Sequence, residues 1–195
     1  MSNDASVPSR RIEGYAVVSE DGMIADATGR TPDLLKFEAD RRFFECGIDG
    51  VDLVVHGRHS QEEQIGSGSR RRLILTRTVA AVAADPSNEH AVLWNPAGAS
   101  FEQALAALGR PDSRMAILGG TDVFGLFLGR YDVFHLSRVP NAWLPGGRPV
   151  FPDVPMQTPE EVLATHGLHP GARQVLDPAH GVTVVSWQRS PEFGR

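Results

Sequence analysis

Apolar residues recur along this chain in short runs, parted by stretches rich in glycine and polar residues, and their spacing switches between strand and helix periods. The clearest unit is 115–128, MAILGGTDVFGLFL. Four apolar residues, Met115 to Leu118, run into Gly119 and Gly120, after which Val123, Phe124, Phe127 and Leu128 fall on one helical side. The pattern predicts a buried strand, a sharp turn and a helix, with Thr121 and Asp122 placed to cap the helix amides. Such a turn is either only a tight connection or an anion site, for which pyrophosphate is the usual occupant.

The rest of the chain follows the same alternation. Residues 12–18 predict a strand with apolar positions on both faces, as a central strand requires. Ser19-Glu20-Asp21-Gly22-Met23-Ile24-Ala25 predicts a loop across that strand's end, continuing through Arg30 as a mobile active-site loop. Thr31-Pro32-Asp33 predicts a helix start, and on the wheel Leu34, Phe37 and Phe44 form the inward stripe with Asp40 in the same arc. A carboxylate there either uses burial to raise its pKa and meet a nitrogen heterocycle, or pairs with Arg41 or another arginine.

Residues 52–56 predict a second strand, followed by Gly57-Arg58-His59-Ser60. Ser60 and Glu63 have capping-box spacing, so a helix is expected to open there behind a second anion site. Gly66-Ser67-Gly68-Ser69 neither follows a strand nor opens a helix and is not a dinucleotide fingerprint. Residues 73–75 predict a strand ending in Thr76-Arg77-Thr78, a third polar cluster at a strand end. Residues 91–94 predict another strand, and Ser100 with Gln103 opens a helix over 101–108 that Gly109 stops. A strand at 133–139, a Pro- and Gly-rich loop at 141–152 and a hairpin of 174–176 with 182–187 complete the pattern. The fold class expected is a three-layer α/β arrangement: a mostly parallel central sheet, an antiparallel C-terminal strand and flanking helices. Residues 1–10 read as a flexible arm and 11–190 as a single domain.

Composition narrows the functions. The chain has 195 residues, one cysteine and a net charge of −5, so an internal disulfide is excluded and the overall basic balance of a nucleic-acid binder is missing. Arg70-Arg71-Arg72 reads either as a solvated flank or as a clamp for a phosphate or carboxylate. No apolar run has membrane-spanning length and the first eleven residues lack a secretion signal's apolar core, so a cytoplasmic protein without a membrane partner is expected. Seven histidines are scattered, with His166 and His169 in a Gly and Pro loop, and no metal site is expected.

Gly57-Arg58-His59-Ser60, Leu118-Gly119-Gly120 with its helix, and Gly147-Arg148-Pro149-Val150-Phe151-Pro152-Asp153, in this order, resemble the dihydrofolate reductase superfamily, including the reductase domain of bifunctional riboflavin-pathway enzymes. The resemblance runs from about Ile12 to Trp187. It implies NADPH as hydride donor, with Gly57, Arg58, His59, Ser60, Thr76 and Arg77 around the adenosine phosphates. Leu118, Gly119, Gly120, Thr121, Asp122 and Val123 would hold the pyrophosphate and nicotinamide side, and Val17 and Ile24 would line the nicotinamide. Asp40 matches the family's acid, Ser137 its hydroxyl partner and Phe44 the aromatic position one turn on. Arg70 lies near the arginine that grips the folate tail, while Ser19 and Asp21 match the loop style of the riboflavin-pathway reductases, and no tryptophan precedes the Asp40 helix. The implied substrate is a small heterocycle: a riboflavin precursor, or alternatively dihydrofolate or another pterin. Relatives of the riboflavin type commonly form homodimers. A non-catalytic pyridine-nucleotide or flavin binder on the same fold is the alternative from another class.

Overall fold

The computed structural model describes residues 10–60, 70–109 and 112–190. Residues 1–9 of the expected arm, Glu63 of the expected capping box and the Gly-Ser stretch at 66–69 lie outside the described residues.

Six strands run parallel in the middle of one sheet: β1 (Arg11–Val18), β3 (Leu53–Gly57), β4 (Arg72–Leu75), β6 (Ala91–Trp94), β7 (Arg114–Ile117) and β8 (Val133–Arg138). One edge is closed by β5 (Val82–Ala84), antiparallel to β6. On the other side the antiparallel hairpin of β10 (Leu168–Asp177) and β11 (Val182–Arg189) adds to β8, giving the order β10-β11-β8-β1-β7-β3-β4-β6-β5. A separate ribbon pairs β2 (Met23–Ala25) with β9 (Arg148–Pro149).

Side-chain alternation divides the sheet into two interiors. On one face Ile12, Val18, Leu53, Val55, Met115 and Ile117 pack with α2 (Phe101–Ala107) and α3 (Thr121–Leu126). On the other, Tyr15, Val54 and Ala116 pack with Ile48 of α1 (Glu38–Ile48). The layers are therefore helix, sheet, helix, as the sequence predicts. Ser100 and Gln103 form the expected capping box, and Gly109 leaves α2 at a φ of +65°.

Several local expectations are corrected. Thr31-Pro32-Asp33 opens only a single 3-10 turn over Asp33–Leu35, and α1 starts afresh after Phe37. Leu35, not Leu34, is therefore the buried leucine; Leu34 is exposed. Thr121 and Asp122 do not cap α3, whose N-cap is Gly120 without any side-chain bond. The loop after β1 contains β2, His169 lies within β10 rather than in a loop, β9 breaks the stretch expected to be irregular, and β5 had no counterpart in the sequence pattern. One helix went unpredicted: α4 (Pro159–Thr165), capped by Thr158 with Glu161 returning the bond.

Candidate functional site

The parallel strands end on one rim, and the site is built there from their last residues. In the register of β1 and β8, Val17 stands beside Ser137 and Val18 beside Arg138. Ser137 is 3% exposed, and its hydroxyl lies close enough to the Asp40 carboxyl to influence its ionisation. Asp40 sits in the first turn of α1, held over β8 because the same helix packs Phe44 edge-on to Tyr15 at 5.7 Å and Phe43 edge-on to His135 at 5.4 Å. Burial pushes the Asp40 carboxyl above its ordinary pKa, and the Ser137 hydroxyl draws it back without cancelling the effect. No contact pairs Asp40 with Arg41, which bonds Glu38 and Glu45 instead. Of the two readings of the wheel, the inward carboxyl is the one the geometry adopts.

The second cluster lies where β3, β4 and β7 end. Gly57 N–H and the Ser60 hydroxyl both donate to the Gly119 carbonyl, at 2.8 and 3.2 Å, and Arg58 N–H donates to Leu75 O at 3.1 Å. Gly119 takes φ +87°, a conformation glycine adopts freely, and its peptide to Gly120 is cis. A side chain at Gly120 would approach Ile24 of β2, so the ribbon closes over this turn. Thr121 donates its hydroxyl to Pro149 O and ties α3 to the ribbon. Val123 is buried beneath the turn, and Leu118 is partly buried on the α1 face.

Around this turn, Arg58, His59 and Arg77 are exposed, while Thr76 is buried with its hydroxyl bonded to Thr78. Arg77 lies 4.0 Å from Asp122 with both side chains almost wholly in solvent, and the positive field of Arg58 helps hold Asp85 below its ordinary pKa after that carboxyl's bonds to Ser87. These solvated pairs bind weakly and leave both guanidiniums available to a stronger anion.

Three expected substrate contacts are engaged elsewhere. Ser19 is 0% exposed, donates to Asp21 Oδ1 at 2.6 Å and accepts from Met23 N–H at 2.9 Å. Asp21 in turn accepts the Leu144 N–H at 3.1 Å, so this pair shapes the loop. Arg70 donates to the Ile48 carbonyl at the end of α1, at 3.4 Å. Among residues the sequence reading passed over, Arg138 and Glu160 stand out, and the Thr158-Pro159-Glu160-Glu161 capping pattern was the available signal. Among the described residues there is no cluster suited to a metal ion and no helix long and apolar enough to cross a membrane.

No protein-family model matches the chain, and no curated protein matches its sequence. Solved structures do match. A provisionally assigned riboflavin biosynthesis protein from Shewanella sp. PV-4 aligns at TM-score 0.64 and 18% identity, over 92% of this chain and 99% of the other. Dihydrofolate reductase from Enterococcus faecalis, complexed with NADP(H) and RAB-propyl, aligns at 0.61 and 18%, over 92% and 96%. The deaminase/5-amino-6-(5-phosphoribosylamino)uracil reductase from Thermotoga maritima aligns at 0.65 and 16%, over 93% of this chain and 57% of that longer one. The fold is that of dihydrofolate reductase and the riboflavin-pathway reductases.

Proposed function

We propose that the chain is an NADPH-dependent reductase acting on a pyrimidine- or pteridine-type heterocycle, with 5-amino-6-(5-phosphoribosylamino)uracil or a close analogue as the leading substrate. The observation that carries this reading is the Asp40–Ser137 pair: a carboxyl with a raised pKa, set at the strand-end rim of a reductase fold.

The residues present fit a dinucleotide. The glycines at 57, 119 and 120 keep the strand-end turn free of side chains, no side chain caps the Gly120–Val123 backbone, and two lightly paired guanidiniums flank it. Gly57, Ser60 and Thr76 would hold the adenosine side, Arg58 and Arg77 the 2′-phosphate, His59 the neighbouring phosphate, and Leu118 to Val123 the pyrophosphate and nicotinamide side. When bound, NADPH supplies the hydride. The chain's own task is orientation and protonation. Asp40 in its protonated form donates to a ring or imine nitrogen, Ser137 fixes the carboxyl's direction, and Val17, Ile24 and Phe44 exclude water from the acceptor.

A pterin substrate ranks second because the fold is equally that of dihydrofolate reductase, but the Arg70 expected to grip a folate tail is bonded to Ile48 O. A passive nucleotide binder would have no use for a carboxyl held partly against ionisation. Within the same proposal the protein is a cytoplasmic homodimer, which light scattering of the purified protein and fractionation of cells check.

Melting with NADPH, NADH and no ligand is the first test. At ~100 times its dissociation constant NADPH adds about 2.7 kcal/mol, and NADH adds clearly less. Turnover is then assayed with the uracil and pterin substrates, where Asp40→Asn lowers kcat by about 10²-fold or more. Equal shifts with both nucleotides would remove the role given to Arg58 and Arg77, and full turnover by Asp40→Asn would remove that of Asp40.

A further inference from the structure

The loop joining β1 to β2 carries Ile24 to the glycine turn, and one arginine reaches it from the neighbouring strand β8. Arg138 Nη1 donates to two successive carbonyls, Glu20 O at 3.0 Å and Ser19 O at 3.4 Å. These carbonyls follow the end of β1, and Ser19 O also accepts the Gly22 N–H at 3.0 Å. The other edge of the guanidinium is held by α4: Nη2 and Nε both donate to Glu160 Oε1, at 2.6 and 3.2 Å. Pro159, at the start of α4, stands against Gly22 in the same loop.

We infer that Arg138 and Glu160 are positioning residues: α4, acting through this ion pair, holds the 19–25 loop in the conformation that presents Ile24 to Gly120. The geometry demands an arginine. A planar fork can face a carboxylate along one edge and two carbonyls with its remaining nitrogen, whereas lysine offers one ammonium that cannot span both. Other bonds shape the same loop, namely Glu20 N–H to Ala142 O at 2.6 Å and Leu144 N–H to Asp21. All of these come from the segment that follows β8. Among the described residues Arg138 is the side chain that hydrogen-bonds both the loop and α4, and it does so from the residue next to Ser137. The role in presenting Ile24 for catalysis rests on the reductase reading; the role in holding the loop does not.

The test compares Glu160→Ala, Glu160→Gln and Arg138→Lys with the wild type by amide hydrogen exchange without ligand, then by NADPH affinity and turnover. Exchange at Glu20, Gly22 and Met23 rises about fivefold in Glu160→Ala and in Arg138→Lys, with β1, β8 and β11 unchanged. Glu160→Gln, which keeps an acceptor, falls between Glu160→Ala and the wild type. The variants lose turnover and NADPH affinity while their melting temperatures stay near that of the wild type. Unchanged exchange in the loop would overturn the proposal, and so would a uniform rise across the sheet. Faster loop exchange in a protein that never turns over NADPH would uphold the clamp and sink the reductase reading instead.

Discussion

The two faces of the sheet solve packing in opposite ways. Toward α2 and α3 the interior is aromatic and dry: Phe124, Phe134, Phe151 and Tyr131 meet edge-on or tilted at centroid distances of 5.0 to 6.3 Å. Gly14 is part of that fit, because a Cβ there would lie 2.3 Å from the Phe134 ring. Toward α1 the same strands present Glu13, Tyr15, His135 and Ser137. Glu13 is 5% exposed and accepts from Tyr15 OH at 2.7 Å, with Arg11 at 2.6 Å and His135 at 3.5 Å. Burial opposes its charge, but the bonds from His135 and Tyr15 and the Arg11 cation outweigh it and bring the carboxyl down to about 2. One face holds the fold by contact area, which is insensitive to pH. The other holds it by ionisation, and only that face can carry a titrating acid to the rim.

The contrast can be broken most severely from the dry side. Phe134→Ala costs about 3–5 kcal/mol in denaturant unfolding at any pH from 5 to 9. Gly14→Ala costs about 1–3 kcal/mol, and less in a Phe134→Leu background, where the ring no longer blocks the methyl. On the polar side, Glu13→Gln costs about 2–3 kcal/mol at pH 7. Because the folded pKa of Glu13 lies below its unfolded value near 4.5, its contribution is complete above pH 4.5. It fades as pH falls toward about 2, where wild type and variant converge. A gap undiminished at pH 2 would assign the loss to packing instead. Asp40 has the opposite sign. Its raised pKa means that the ionised form costs stability above the ordinary carboxylate range, so Asp40→Asn raises stability at pH 7 in denaturant unfolding and the gain disappears in acid.

The smallest effect separates two helix starts that look alike in sequence. Thr158→Ala costs about 1 kcal/mol, and Thr31→Ala stays within about 0.5 kcal/mol, both read by thermal unfolding. Thr31-Pro32-Asp33 and Thr158-Pro159-Glu160 share cap, proline and acid, but only the second has a glutamate at the following position, Glu161, to bond back to the cap amide. Leu34 cannot, and it ends up in solvent. The strand runs and the layer order were legible because 12–18 and 115–118 carry apolar residues on both faces, as strands covered on both sides require. The inward turn of Asp40 was visible on the wheel, since Phe37 and Phe44 bracket it by helical spacing. Arg138 was not visible, because its meaning comes from a carbonyl pair on β1's trailing loop and a glutamate on a later helix, neither of which leaves a local pattern. The internal bonds of Ser19 and Arg70 were hidden for the same reason: their partners are set by tertiary contact with the loop and with the end of α1.

The central position of β1 has a consequence for synthesis. Its two neighbours, β7 and β8, begin at Arg114 and Val133, about a hundred residues downstream. At about 5–20 residues per second, the apolar strand leaves the ribosome and waits on the order of ten seconds before either partner exists. During that wait Arg11 and Glu13 are the charges within the strand itself, and they keep an otherwise sticky segment from pairing with the wrong chain. The carboxylate that later anchors the wet face first serves as a gatekeeper on the nascent chain.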